Sequence, residues 1–275
     1  MATEQWQYLL KNLGQWHGSF ATFSADGRLL QDIPSTTILE GINDNQSIRQ
    51  IVRRCPPAQP VEELLLEYNT LSKGLLFFPN GAFSFGTIQL APFTVLGAEL
   101  GLIAGDRRVR VVHVYDNSAH LEKITLIREQ LGQSPAMTDQ VDWLEHLWGT
   151  WHGTAQTVYP DIGKSSQTYP TQLTLSPIGE QRLQQELKFA GRTIASQGQI
   201  TGQRIQFGDV QVLLLPDGVS CSGPLRVKFR QPLFWEAGWL ISPGHRQRLI
   251  RSYDSQGEWE SLTLVDEFKS GAAPS

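Results

Sequence analysis

Two clusters of arginine stand beside aromatic side chains in this sequence. Arg107, Arg108 and Arg110 form the first, and Arg246, Arg248 and Arg251 form the second. Guanidinium groups at alternate strand positions share one face and pair bidentately with carboxylates. At a barrel mouth such a row would hold an acidic ligand; on an outer face it would be solvated. The second cluster lies near Phe234-Trp235-Glu236-Ala237-Gly238-Trp239-Leu240 and is followed by Tyr253, whereas the first has Leu102 in the place of Trp239. Large rings inside a barrel either fill it or wall a cavity. The candidate binding set is therefore Trp235, Trp239, Arg246, Arg248, Arg251 and Tyr253, an apolar wall with cations at its rim.

Other reactive residue types lack the spacing that chemistry needs. His17 and His152 recur in equivalent positions, but each follows a tryptophan, and strand alternation turns neighbours to opposite faces. No histidine pair has metal-ligand spacing. Gly218-x-Ser220-x-Ser222 lacks the second glycine of a nucleophile elbow, and Gly163-Lys164-Ser165 has Val158 where a phosphate loop has its first glycine. Cys55 and Cys221 form no disulfide framework and read as free, unreactive thiols of a cytoplasmic protein. Tyr115-Asp116 and Tyr253-Asp254 precede turns, where aspartate bonds its own backbone. Glu122 and Glu260 match each other but open a strand that faces solvent, and no repeated pair of acids reads as an acid–base couple. No catalytic residue and no metal site is expected.

The elements that must position these residues come in two sets. Leu13-Gly14-Gln15-Trp16-His17-Gly18-Ser19 is matched by Trp148-Gly149-Thr150-Trp151-His152-Gly153-Thr154, and Glu122-Lys123-Ile124-Thr125-Leu126-Ile127 by Glu260-Ser261-Leu262-Thr263-Leu264-Val265. Collinear matches at an offset of roughly 135–138 residues mean a duplicated domain. The break falls in the small, polar stretch Gly132–Ala136, giving domains over 1–134 and 135–269 with a flexible tail over 270–275. Each copy opens with a short helix, capped by Thr3 in the first and by Thr138 or Asp139 in the second. Trp6, Leu9, Leu10 and Leu13 are spaced for one helix face, and Val141, Leu144, Leu147 and Trp148 for the other. Short alternating runs follow, cut by Pro79-Asn80-Gly81, Pro216-Asp217-Gly218 and similar turns. The fold class is all-β: two tandem antiparallel barrels, each preceded by a short helix.

Composition sets the outer limits. The 275 residues are 40% hydrophobic and 18% charged with net charge −4, which fits two folded domains and lacks the basic surplus of a nucleic-acid binder. No apolar run reaches the length of a membrane span, and the N-terminus does not read as a secretory signal.

Gly14-x-Trp16 and Gly149-x-Trp151, each after a helical turn, resemble the Gly-x-Trp that opens the first strand of lipocalins. The resemblance implies that Trp16 and Trp151 plug the closed ends of two calycin-type barrels. It also implies that Arg128 is the basic residue beside Trp16; the second copy has Asp266 there. With Trp-His-Gly, Arg-x-Arg-x-x-x-x-Tyr-Asp and Leu-Glu-Lys-Ile-Thr-Leu-Ile-Arg-Glu, the whole chain resembles a cyanobacterial and plastid family of unknown function with a duplicated lipocalin-like fold. A neighbouring calycin group holds the phycobilin–phycobiliprotein lyases. That kinship implies a holder or chaperone of a small hydrophobic or tetrapyrrole ligand, with lyase-like attachment of a bilin as the one enzymatic reading. The alternative is a non-enzymatic scaffold or assembly factor with filled barrels, working through a protein partner. A third reading is a haem-binding calycin, on the similarity of Gly149–Thr154 and Ala119-His120-Leu121 to such proteins; Glu258 stands where the second copy would need a match to His120.

Overall fold

The structure, a computed structural model, describes residues 2–133, 144–161 and 163–271. Thr138, Asp139 and Val141 lie outside those residues, as do the Thr3 side chain, part of the 132–136 stretch and most of the 270–275 tail. Helix α1 (Ala2–Leu9) and a 3-10 turn (Leu10–Asn12) lead into the first sheet. Its strands are β1 (Gly14–Ser24), β2 (Leu29–Ile42), β3 (Ser47–Arg54), β4 (Glu62–Tyr68), β5 (Leu75–Phe77), β6 (Phe83–Gly86), β7 (Leu96–Ala104), β8 (Arg107–Tyr115) and β9 (Leu121–Leu131). A short helix α2 (Leu144–Leu147) precedes the second set: β10 (Gly149–Val158), β11 (Gln167–Pro177), β12 (Arg182–Phe189), β13 (Arg192–Thr201), β14 (Arg204–Phe207), β15 (Val210–Leu214), β16 (Val219–Pro224), β17 (Leu233–Ser242), β18 (His245–Tyr253) and β19 (Trp259–Lys269).

The chain is all-β, but its halves close differently. The second half is a closed barrel in which β10–β19 pair in sequence order. The first is an open nine-stranded sheet, β4-β3-β2-β1-β9-β8-β7-β6-β5, that ends on β4 and β5. The expectation of two closed barrels is thus corrected for the first copy. The reason is one strand: β14 joins β13 to β15 in the second half, and the first half has no strand between β4 and β5.

Gly14 and Gly149 begin their strands at φ of 126° and 113°, where side chains are strained. Gly18 is required by proximity, since a Cβ there would sit 1.7 Å from the Arg128 carbonyl oxygen. Trp16 and Trp151 then point inward and are fully buried. Each indole Nε1 donates at 2.9 Å to a carbonyl four residues earlier, Asn12 O or Leu147 O, tying the strand to the preceding helical turn.

Alternation puts a second apolar face on the outside of each sheet. Val109, Val111, Leu100, Leu102, Ile124 and Leu126 form one such face, and Trp235, Ala237, Trp239, Leu249, Leu262 and Leu264 the other. These faces pack together into the largest apolar cluster of the molecule. Paired bonds cross between the halves. Leu121 N donates to Leu225 O (2.8 Å) and Trp259 N to Ile88 O (2.9 Å). Val227 N donates to Ala119 O (2.9 Å) and Leu90 N to Gly257 O (2.8 Å). The Tyr115 hydroxyl donates to Pro224 O, and the Tyr253 hydroxyl to Thr87 O, both at 2.6 Å. These six bonds form three pairs, each bond having its mate with the halves exchanged, which is the pattern of an isologous interface drawn within one chain.

Candidate functional site

The inward positions of β8 and β18 carry the arginines of interest. In the second half, Arg248 grips Glu267 through Nε–Oε1 (3.0 Å) and Nη2–Oε2 (3.2 Å), and reaches Glu236 at 3.4 Å. Arg246 Nε donates to Glu267 Oε1 at 2.5 Å. The first half repeats the arrangement. Arg110 grips Glu129 at 3.0 Å through both Nε and Nη2 and meets Glu99 at 2.7 Å, and Arg108 donates to Glu129 at 2.8 Å. Each floor thus holds two arginines against two glutamates. Burial pushes the Glu129 carboxyl up, but the flanking Arg108 and Arg110 guanidiniums outweigh it and hold it at about 2. The same balance lowers Glu267 between Arg246 and Arg248. Charge pairs this complete have no net charge left to attract an acidic ligand.

The glutamates of these floors are absent from the sequence-based set. The signal for them lay in the repeat. Glu129 and Glu267 share the offset of Arg108 with Arg246 and of Arg110 with Arg248, so the acids travel with the bases as partners.

The tryptophans rest on cations, one from each floor and, in the second half, a lysine beside it. The Arg108 guanidinium lies 4.3 Å from the Trp16 ring centroid; Arg246 and Lys269 lie 5.5 Å and 5.8 Å from that of Trp151. Arg128 is not the residue beside Trp16. It lies opposite Ser19 and projects outward, where it bonds Asp32 (2.6 Å) and, across to the second half, Asp217 (2.9 Å). Alternation explains this: Glu129, one residue on, takes the inward place.

Of the candidate binding set, the structure puts Arg246 and Arg248 inside the second barrel and the other four outside it. Trp235, Trp239, Arg251 and Tyr253 occupy the outward face of β17 and β18, buried against the first half. Trp235 Nε1 donates to the Tyr115 hydroxyl at 3.1 Å, and its ring meets Tyr253 edge-on at 5.0 Å. Trp239 lies under Arg107 at 5.2 Å. Arg251 donates to Gly74 O, Gly86 O, Thr87 O and Ser84 Oγ at 2.9–3.3 Å, with its guanidinium 3.5 Å from the Trp259 centroid. These four residues join the halves. They wall no cavity in the barrel.

Two openings adjoin the charged floors. A cavity of about 290 Å³ inside the second barrel is lined by leucines such as Leu173, Leu183 and Leu214, with Phe207 and Phe234, and reaches Glu236, Arg246 and Arg248. The first half has a groove of about 310 Å³ between Phe20, Val52, Leu64, Val112 and Ile127, bordered by Arg54, Glu62, Glu99 and Arg110. It opens where the sheet fails to close. There β4 exposes Leu64, Leu65 and Leu66, which are 53%, 55% and 43% exposed.

His17 faces outward and meets Thr36 Oγ1 at 3.3 Å. Cys221 is buried, and burial pushes its thiol up to about 12; Cys55 is exposed. Among the described residues no group of three or more His, Cys, Asp or Glu side chains is arranged to hold a metal ion. No helix among them is long and apolar enough to cross a membrane.

A crystal structure from Nostoc punctiforme, a protein of unknown function from the DUF3598 family, is 45% identical to this chain. The alignment covers 96% of this chain and 98% of the other, with a TM-score of 0.90. The chain belongs to the DUF3598 family. The family's N-terminal model, "Domain of unknown function (DUF3598), N-terminal", matches residues 2–134 of this DUF3598 chain. A second model, "Biogenesis factor required for ATP synthase 1, C-terminal domain", matches residues 139–270. The S-type phycobiliprotein lyase CPES from Guillardia theta is similar over 48% of this chain and 93% of its own, at 11% identity and a TM-score of 0.37, a likeness too slight to bear on the DUF3598 fold or function. No curated protein matches the chain.

Proposed function

We propose that this protein is a non-catalytic assembly factor that acts in the cytoplasm by holding a protein client, with residues 1–134 and 135–269 as two lipocalin-like modules. One observation carries the reading: the first module is left open, with three consecutive leucines of β4 in solvent. Exposed apolar surface beside an unclosed sheet marks an interaction site. The charged floors support it, because each is neutralised within itself and offers no free acid, base or nucleophile. The match of residues 139–270 to a model described as the C-terminal domain of a biogenesis factor required for ATP synthase supports the subunits of ATP synthase as the client class. The test is a strain lacking the gene, analysed by native electrophoresis, together with affinity purification of the tagged chain. The expected result is a reduced level of assembled ATP synthase and co-purification of at least one of its subunits. Normal assembly with no subunit retained would overturn the proposal.

The cavity of the second barrel favours a second reading, a compact apolar ligand. Its volume of about 290 Å³ lies at the lower edge of ligand pockets. Titration with a bilin, haem and a small uncharged hydrophobic probe, followed by tryptophan fluorescence, separates the ligands. Quenching by the uncharged probe alone is expected; micromolar binding of the bilin would restore the tetrapyrrole reading.

A further inference from the structure

The exposed edge of β4 has a chemistry that selects its occupant. β4 ends the first sheet on one side. The other end, β5, is sealed by the chain itself: Gln5 exchanges two bonds with the Phe77 backbone (3.0 and 2.7 Å), and Leu75 N donates to Ser72 O (3.1 Å). β4 has no such cover among the described residues. In the second half the equivalent strand, β13, is paired by β14, whose Ile205 is buried within the barrel and whose Phe207 lines its cavity. The duplication therefore supplies a template for what β4 lacks, an antiparallel strand with apolar residues at alternate positions.

Charge sets the other face. On the outside of the sheet, Glu40 of β2, Arg49 of β3 and Glu67 of β4 form a ladder of alternating sign (3.6 and 2.7 Å). Arg53 and Glu63 form a second ladder at 2.5 Å. The next rung of each is basic. A second copy of this chain does not supply it: β4 holds no lysine or arginine, so antiparallel self-pairing in any register leaves Glu63 and Glu67 without a basic partner, and about Leu65 it sets them opposite each other twice, where like charges destabilise a sheet.

We infer that β4 binds an extended segment of a partner protein by β-strand addition, antiparallel, with the order basic–apolar–polar–apolar–basic opposite Glu67, Leu66, Leu65, Leu64 and Glu63. The apolar pair covers Leu64 and Leu66 and closes the groove over Val52 and Phe20. This inference rests on the assembly reading and assigns the site and form of the client.

The experiment uses the full chain and a fluorescent peptide with the core Lys-Val-Thr-Val-Lys, read by anisotropy. Saturable binding is expected, with at least a tenfold loss for Glu-Val-Thr-Val-Glu. N-methylation of the peptide amides that face β4 should abolish binding. The double variant Glu63→Lys/Glu67→Lys, at exposed positions where folding is checked by circular dichroism, should reverse the charge preference. No saturable binding, equal affinity for both peptides, or indifference to N-methylation would overturn the inference. The same variant is carried through the affinity purification. A client retained by both wild type and variant would reject β4 as the site and leave the assembly reading standing. A client lost only from the variant would support both.

Discussion

His113 gives the sharpest test of how the two halves meet. It occupies on β8 the place that Arg251 occupies on β18, and it is 1% exposed. Its ring stacks on Trp235 at 6.3 Å with a 16° interplanar angle. Among the described residues neither ring nitrogen has a hydrogen-bond partner. Burial pushes its pKa from 6.5 down to about 3. The sign of the consequence is fixed. Below pH 6.5 the unfolded chain takes up a proton that the folded chain refuses, so stability falls with pH from 6.5 toward 3 and is unaffected by this group above 6.5. One pH unit is worth about 1.4 kcal/mol, so between pH 6.5 and 4.5 the group removes roughly 2–3 kcal/mol. His113→Leu removes the proton site and the unpaired donor while keeping an apolar contact with Trp235. Urea unfolding at pH 7.5, 5.5 and 4.5 should show the variant losing roughly 2–3 kcal/mol less than wild type across the range. Stopping at pH 4.5 keeps the experiment above the region where Glu129, held at about 2 in the fold, loses its stabilising charge pairs. Parallel pH profiles for the two proteins would mean that His113 titrates freely in the native state and that the interface is open to protons.

Three further outcomes follow from the same geometry. Arg251→Met should remove four bonds to the first half, while Thr87 O keeps the Tyr253 hydroxyl and Gly74 O keeps Gly86 N, and should cost about 1.5–3 kcal/mol, read by calorimetry as a lower Tm or as separation of one unfolding transition into two. Glu129→Gln and Glu267→Gln leave Arg108 and Arg246 without a carboxylate and leave Arg110 and Arg248 with Glu99 and Glu236 alone, and each should destabilise by roughly 3–5 kcal/mol in denaturant melts; a loss under about 1 kcal/mol would show that water reaches the floors. Trp16→Ala and Trp151→Ala should each cost about 3–5 kcal/mol in the same assay, and a loss below about 1 kcal/mol at either would remove that tryptophan from the structural frame.

Much of the architecture could be read in the sequence, because the signals that carried it are local. Gly14-x-Trp16 and Gly149-x-Trp151 mark a strand start that only glycine tolerates, and the run Glu260–Val265 repeats Glu122–Ile127 in register. The site was harder, for a physical reason. Alternation separates two faces of a strand but does not say which face is inside. In β17 and β18 the face bearing Trp235, Trp239 and Tyr253 is the more apolar, which from sequence alone predicts a cavity wall. It is apolar because a second sheet covers it. The inward face carries Glu236, Arg246 and Arg248, whose charges are tolerated because Glu267 completes them. The open edge was illegible for another reason. Closure turns on β14, four residues long, and no periodic signal distinguishes its presence in one copy from its absence in the other.

The paired bonds between Tyr115 and Pro224 and between Tyr253 and Thr87 suit two identical subunits. Fusing them in one chain removes the need for them to stay identical. At the interface the departure is Arg251 against His113. Arg251 fills its site with four bonds to the first half, while His113 makes none among the described residues and leaves its counterpart wall to the Trp235 ring. In the sheets the departure is β14. The half that keeps it closes over its own cavity; the other half exposes β4. A free edge beside exposed leucines invites association of like chains, and a symmetric dimer would carry that hazard twice. Here it occurs once, with Glu63 and Glu67 set against self-pairing. An unclosed sheet in that form is consistent with a site kept for a different chain.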